Sequence, residues 1–337
     1  MRAIGYQQAG SIYRDKALVD IELPTPEPKG RDILVKIEAV SVNPVDTKVR
    51  TSITPEPGNW KVIGWDASGT VIATGSEVTL FKKGDEVFYA GSISRSGSNA
   101  EYQLVDERIV GMKPKTLDWG AAAALPLTTI TAWEMLFDRL NVRKPVLGAA
   151  NAILIVGGAG GVGSIATQLA RQLTDLIVIS TASRPETIAW ATEMGAHYVI
   201  NHHKPLPEQV AALGIGAPAF VFSTTRTNSY ARAIAELITP QGRFGVIDEF
   251  ADANVFKSKA VSIHWEFMFT RPRLGTADMS EQGKLLNEVS RLVDEGTIRT
   301  TVTERFSPIN AANLMHVHAL VEGGKTRGKL ALEEFSS

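Results

Sequence analysis

Residues 153 to 163 read ILIVGGAGGVG, an apolar run that collapses into five glycines before Ile165, Leu169 and their neighbours recur at helical spacing. That pattern predicts a strand, a tight turn and a helix. Gly158, Gly160 and Gly163 fit the spacing in which one glycine permits the turn, the next lets backbone approach a pyrophosphate, and the last lets helix pack on strand. Ala159, Gly161 and Val162 complete the loop, and the helix start behind them offers unpaired N–H groups and a partial positive charge to an anion. The chemistry implied is dinucleotide binding. The competing reading is a plain strand-to-helix corner, which glycine-rich turns also serve.

Which nicotinamide cofactor such a turn would take is written about 25 residues further on, at the tip of the next strand, ISTASRPET from 179 to 187. An acid there would accept from the NAD ribose 2′-hydroxyl and repel a 2′-phosphate. None is present: Asp175 precedes the strand and Glu186 follows Pro185 in the next helical segment. Ser183 and Arg184 stand in its place and suit a phosphate, so NADPH is the expected cofactor. The bland alternative makes Arg184 a surface arginine and Ser183 a helix cap. Ser223, Thr224 and Thr225 follow the strand FVFS and are expected beside the cofactor, as ends of parallel strands are.

These residues need a scaffold, and the chain supplies two textures. Through about residue 125, short strand candidates (33 to 43, 61 to 75, 85 to 91) alternate with Gly, Pro and Asp, predicting a mostly antiparallel β domain. Residues 116 to 140 are rich in helix formers, with Asp118 as N-cap candidate and Pro126 interrupting the run. Beyond them, apolar strand candidates at 153–156, 176–180, 197–200, 219–223, 243–247 and 260–264 alternate with helical segments, which predicts a parallel, doubly wound sheet. After an amphipathic helix ending at Gly296, the strand-like IRTTVTERFS and RGKLALEE match the first texture. The expected fold class is therefore α/β: a Rossmann unit over 126–271 inserted in a β domain made of 1–125 and 272–337.

Composition narrows the function. The 337 residues contain no cysteine, so disulfides, thiolate nucleophiles and cysteine-ligated zinc are excluded. Lys+Arg 35 against Asp+Glu 36 leaves no broad basic surface for nucleic acid. The sequence MRAIGYQQAG lacks a signal-peptide core and no apolar run is long enough to span a bilayer, so a cytoplasmic, non-membrane protein is expected.

Several segments in order then resemble the medium-chain dehydrogenase/reductase superfamily, specifically its zinc-free quinone-oxidoreductase branch. They are VKIEAVSVNPVDTKVR (35–50), GWDASGTV (64–71), KKGDEVFYAG (82–91), SNAEYQLVD (98–106), AAALPLTTITAWEML (122–136), the glycine turn, and RGKLAL (327–332). The resemblance implies a GroES-like mostly-β domain around the Rossmann domain, and a homodimer. It also places Asn43 and Trp65 where alcohol dehydrogenases of the superfamily carry a zinc-binding cysteine and histidine. Asp46 and Asp66 alone would make a poor zinc site, and GSISRSGSN (91–99) replaces the structural-zinc lobe, so no metal is expected. His202 and His203 read as a solvated loop, and His316 and His318 as helix surface.

Without a Lewis acid, oxidation of simple alcohols loses its electrostatic aid. A quinone or an α,β-unsaturated carbonyl accepts hydride more readily and gathers charge on an oxygen that donors can stabilise. Asn43 is the candidate oxyanion donor, or else an Asn-Pro turn with a capping amide. Lys48 replaces the tyrosine that the branch often carries and is either a proton donor or a surface lysine. Asp46 either orients Lys48 or caps the following helix. Trp65, Phe267 and Phe269, with Trp265 and Met268 beside them, are candidates for an apolar substrate pocket, with core packing as the alternative. NADPH-dependent, zinc-independent reduction of quinones or enones is the leading expectation. A metal-free NADP-dependent alcohol or aldehyde dehydrogenase, and a non-catalytic NADPH sensor, are the rivals.

Overall fold

The computed structural model describes residues 1 to 335 and divides into two compact units, Met1–Ile130 with Phe269 onward, and Thr131–Met268. In the first unit a seven-stranded sheet runs in the order Val302–Phe306, Lys329–Glu333, Asp32–Val42, Ala67–Thr74, Glu86–Tyr89, Val110–Met112, with Tyr102–Asp106 also pairing Asp32–Val42. The strand Asp32–Val42 sits at its centre because Ile33, Val35, Ile37 and Ala39 are all buried, leaving few polar positions to face water. It ends at Asn43, where Pro44 opens the helix Pro44–Ser52; a proline at the first helical position gives up an N–H that would have had no partner anyway. Pairing is antiparallel as expected, with one exception: Val302–Phe306 and Lys329–Glu333 run parallel, joined by the crossover helix Ala311–Glu322. A smaller sheet orders Val19–Glu22, Arg2–Tyr6 and Lys61–Val62.

The second unit holds six parallel strands in the order Tyr198–Ile200, Ile177–Thr181, Ala150–Val156, Pro218–Ser223, Arg243–Val246, Ser262–Trp265. All six expected strands are present. Leu154, Val156, Ile179, Val221, Phe244 and Val246 form one apolar cluster with Ile234, Leu237 and Phe256 on one face, and Ile153, Ile155, Val178, Phe220 and Phe222 are buried on the other, as a parallel sheet requires. Ala150–Val156 is the strand at which the order turns back on itself, and ligands of open α/β sheets bind outside the carboxyl end of such a strand. The helix-rich run after Asp118 forms Trp119–Ala123 and Pro126–Trp133, then widens into a π-helix over Glu134–Arg139. Asp118 does cap the first of these, its Oδ1 accepting from Ala121 N at 2.9 Å. No helix among the described residues is long and apolar enough to cross a membrane.

Candidate functional site

The glycine turn follows Ala150–Val156 and leads into the helix Gly161–Leu173. Gly157 N donates to Thr181 Oγ1 at 3.0 Å and Gly158 N to Thr181 O at 3.1 Å, tying the turn to the end of the neighbouring strand. Each glycine has its own reason. A Cβ on Gly163 would lie 2.2 Å from Gly157 O and 2.7 Å from Gly158 Cα, so only glycine lets helix and turn approach this closely. A Cβ on Gly158 would meet Ser180 Cβ at 2.6 Å. On Gly160 it would meet nothing nearer than Gly157 O at 3.5 Å. Gly160 therefore borders open space at the helix start, where it is the N-cap and brings no side chain to occupy the first N–H groups. Open space at a helix start, with no side chain standing before its first N–H groups, fits a dinucleotide diphosphate.

At the next strand tip, Arg184 rather than Ser183 is the N-cap of the helix Pro185–Glu193, so Ser183 does not take the capping place that the bland alternative gave it. Arg184 Nε lies 3.0 Å from Glu186 Oε1, in the first turn of that helix. The arginine thus carries an exposed carboxylate partner. Ser223 and Thr224 are committed to the scaffold more than the sequence suggests. Ser223 is fully buried and accepts from Thr227 Oγ1 at 2.8 Å, while Thr224 Oγ1 donates to Val156 O at 2.8 Å.

In the first unit, a buried polar centre gathers around Asn43. Its Nδ2 donates to Asp66 Oδ2 at 2.7 Å, and its Oδ1 accepts from the Lys329 ammonium at 2.5 Å. Lys329 Nζ also donates to Val42 O at 2.8 Å and lies 3.1 Å from Asp66 Oδ2. The second carboxylate oxygen, Asp66 Oδ1, accepts from Leu127 N at 2.8 Å, at the start of the helix Pro126–Trp133. Asn43, Asp66 and Lys329 are each no more than 3% exposed. Burial pushes the Asp66 carboxyl up, while the Lys329 ammonium, the Asn43 amide and the Leu127 N–H pull against it. The Asn43 amide is fully engaged, so in this arrangement it is a structural tie and not an open oxyanion donor.

Asp46 Oδ2 accepts from Asn43 N at 2.6 Å, the N3 half of a capping box whose N-cap is Asn43 at the start of Pro44–Ser52; it is buried whereas Lys48 is exposed, so Asp46 does not orient Lys48. Exposure also denies Lys48 the desolvation that a proton-donor role needs. Burial is the main cause that pushes Asp46 up to about 7, opposed by the Asn43 N–H and by Lys329, and its Oδ1 has no hydrogen-bond partner. Trp65 and Phe269 pack edge to face, ring centroids 5.9 Å apart, and both are buried, so they belong to the core of the first unit as it stands. Phe267 belongs to the second unit and is 45% exposed.

His318 corrects its expected place on a helix surface: it is buried against Arg50, whose Nε lies 3.4 Å from His318 Nδ1. Burial, and then the Arg50 charge, hold its imidazole down at about 3. His316 does lie on the exposed side. Sequence reasoning missed Lys329 altogether. The available signal was a lysine inside the apolar RGKLAL run, where a buried ammonium demands partners.

Comparison with known proteins places this geometry. The alcohol dehydrogenase GroES-like domain matches residues 29–126 and the zinc-binding dehydrogenase domain matches 194–332. The chain belongs to the medium-chain dehydrogenase/reductase family of oxidoreductases. It is 41% identical to a zinc-type alcohol dehydrogenase-like protein of Staphylococcus aureus (strain MSSA476), over 98% of this chain and 99% of that one. A crystal structure from Rhizobium etli CFN 42, provisionally named a zinc-dependent alcohol dehydrogenase, is 67% identical, covering 100% of this chain and 99% of its own, with a TM-score of 0.98. A 2-methylene-furan-3-one reductase of Solanum lycopersicum is 26% identical over 98% of this chain and 79% of its length.

The zinc in those family names does not fit this chain. An amide, an indole and a carboxylate stand at Asn43, Trp65 and Asp66, and the one cation that the buried donors surround is the Lys329 ammonium. Among the described residues no three His, Cys, Asp or Glu side chains gather as a metal site.

Proposed function

We propose that this protein reduces quinones or α,β-unsaturated carbonyls with NADPH and without zinc. The observation that carries the reading is the closed Asn43–Asp66–Lys329 centre. Its ammonium and carboxylate neutralise one another, so it presents no net cation to lower the pKa of an alcohol, the aid on which alcohol oxidation relies. An electron-poor acceptor needs less of that aid. Kinship to an enone reductase in tomato supports the same substrate class.

Bound reduced nicotinamide would supply the hydride, and the chain's own residues do the rest. Gly158 to Gly163 seat the diphosphate on the helix start. Ser183 and Arg184 take the 2′-phosphate, Arg184 exchanging its contact with Glu186 for it. Asp46, shielded from water and holding a proton near neutral pH, is the group we assign to the proton that must accompany hydride. Asn43 N–H and the Lys329 network fix the position of that carboxyl.

The test is NADPH consumption with an ortho-quinone, an enone and an aldehyde, and NADP reduction with primary alcohols, each with and without added zinc or chelator. Turnover of quinone or enone, indifferent to zinc and chelator, is the expected outcome. Turnover of alcohol and aldehyde that vanishes on chelation overturns the reading, and tight NADPH binding with no turnover favours a sensor.

A further inference from the structure

The carboxyl edge of the parallel sheet carries more basic groups than a diphosphate requires. Tyr198–Ile200 and Ile177–Thr181 run side by side, with Thr181 opposite Ile200, and Ala182 N donates to Ile200 O at 3.0 Å. The loops that follow therefore leave the sheet together, one bearing Ser183 and Arg184, the other His202 and His203. The two imidazoles meet edge to face, centroids 4.5 Å apart, and His203 N donates to Asn201 Oδ1 at 2.8 Å, which fixes that loop. Beyond Ala150–Val156, the strand Pro218–Ser223 ends and the chain reaches Arg226, whose backbone is left-handed at φ 51 and ψ 36. An arginine in that conformation is strained, and such positions are held where the surroundings require a particular side-chain direction.

His202 is half-buried where these three loops converge, within the fields of His203, Arg226 and Arg184. Among the described residues, the charges that act on it are those three cationic or imidazole neighbours and no carboxylate. Glu186 is engaged with Arg184, Asp248 with Thr227 N at 3.1 Å, and Lys204 and Glu208 on the following segment are exposed. Burial first, and then these neighbours, hold the imidazole below its usual range, so at neutral pH it is uncharged in the chain alone.

We propose that His202 completes an anion subsite with Arg184 and Arg226 and takes up a proton when that subsite receives the ribose 2′-phosphate of NADPH. The inference rests on the NADPH reading above and adds a proton to it. A phosphate carrying nearly two negative charges near pH 7 reverses the field at His202 and favours the imidazolium, which then donates to a phosphate oxygen. NADPH affinity must therefore rise as pH falls and weaken as pH climbs through the bound-state value of His202. NADH, which has no such phosphate, shows no such dependence.

The experiment is calorimetric titration of the full chain with NADPH and with NADH, in two buffers of different ionisation enthalpy, at pH 7.5, where the phosphate's own proton (pKa about 6) contributes little. Wild type is expected to take up close to one proton with NADPH and none with NADH. Its NADPH affinity should fall by up to about tenfold per pH unit across the transition. His202→Asn should abolish the uptake and flatten the pH dependence, His203→Asn should keep both, and Arg226→Gln should weaken NADPH more than NADH. Retained NADH binding shows that each variant is folded. NADPH preferred over NADH without proton uptake, or uptake that survives in His202→Asn, overturns the subsite and leaves the cofactor reading standing. No preference for NADPH at any pH brings down both.

Discussion

Replacing Asp46 by Asn is the most discriminating perturbation of the buried centre. The carboxyl is fully buried and its value is raised from 3.8 to about 7, so the folded chain holds a proton that the unfolded chain releases. With a raised folded value the sign is the reverse of the usual acidic group: the contribution to stability is intact below about pH 4 and is lost as pH rises toward 7. Each unit is about 1.4 kcal/mol, so roughly 4 kcal/mol separates the two ends of the window. An asparagine keeps an oxygen for Asn43 N–H and cannot ionise. The variant should therefore gain on wild type by about 1.4 kcal/mol per pH unit between pH 4.5 and 7, then hold a constant advantage above it. Urea unfolding of both proteins at half-unit steps from pH 4.5 to 8.5 measures this, and taking the difference cancels every other titrating group. A stability difference that stays flat with pH, or one that favours wild type increasingly toward pH 8, refutes the argument. If Asp46 also supplies the reaction's proton, turnover by Asp46→Asn should fall while its KM for NADPH stays put.

Lys329→Met should strand the Asp66 carboxylate and cost about 3–5 kcal/mol at pH 8, with a smaller loss at pH 5 where Asp66 can protonate; equal losses at both pH values would count against the ion pair. Gly160→Ala should leave the melting temperature within a degree or two yet weaken dinucleotide binding at least about tenfold, because its Cβ enters the open cradle. Gly163→Ala should lower both, since its Cβ collides with the Gly157 carbonyl; thermal melts with cofactor titrations tell the two apart. Arg184→Ala should weaken NADPH roughly tenfold or more and NADH little, read by fluorescence titration.

What could be read from the sequence was what neighbours along the chain decide. The glycine turn and the six strands of the second unit are local patterns of period and punctuation, and each strand lies where its apolar run predicts. The Asp118 cap and the helix break at Pro126 are equally local. The buried centre is not. Lys329 meets Asn43 across 286 positions, and nothing near either residue announces the other. His318 looked like helix surface because its own helix gives no hint of Arg50, 268 positions earlier. Trp65 and Phe269 could not be told from pocket-lining residues, since an aromatic side chain suits either use and only tertiary packing decides. Arg184 and Glu186 are two apart, yet their contact depends on where the helix begins, the least reliable reading of any sequence.

The late position of Lys329 also governs how the molecule is born. During synthesis Asn43 and Asp66 emerge early, while the cation that compensates Asp66 arrives only after the whole parallel sheet has been made. Until then the central strand Asp32–Val42 lacks its neighbour Lys329–Glu333, and the carboxylate has every reason to stay in water. A nascent chain stalled before that strand should remain open and protease-sensitive in its amino-terminal third, so the buried centre serves as a seal that closes when translation is nearly done.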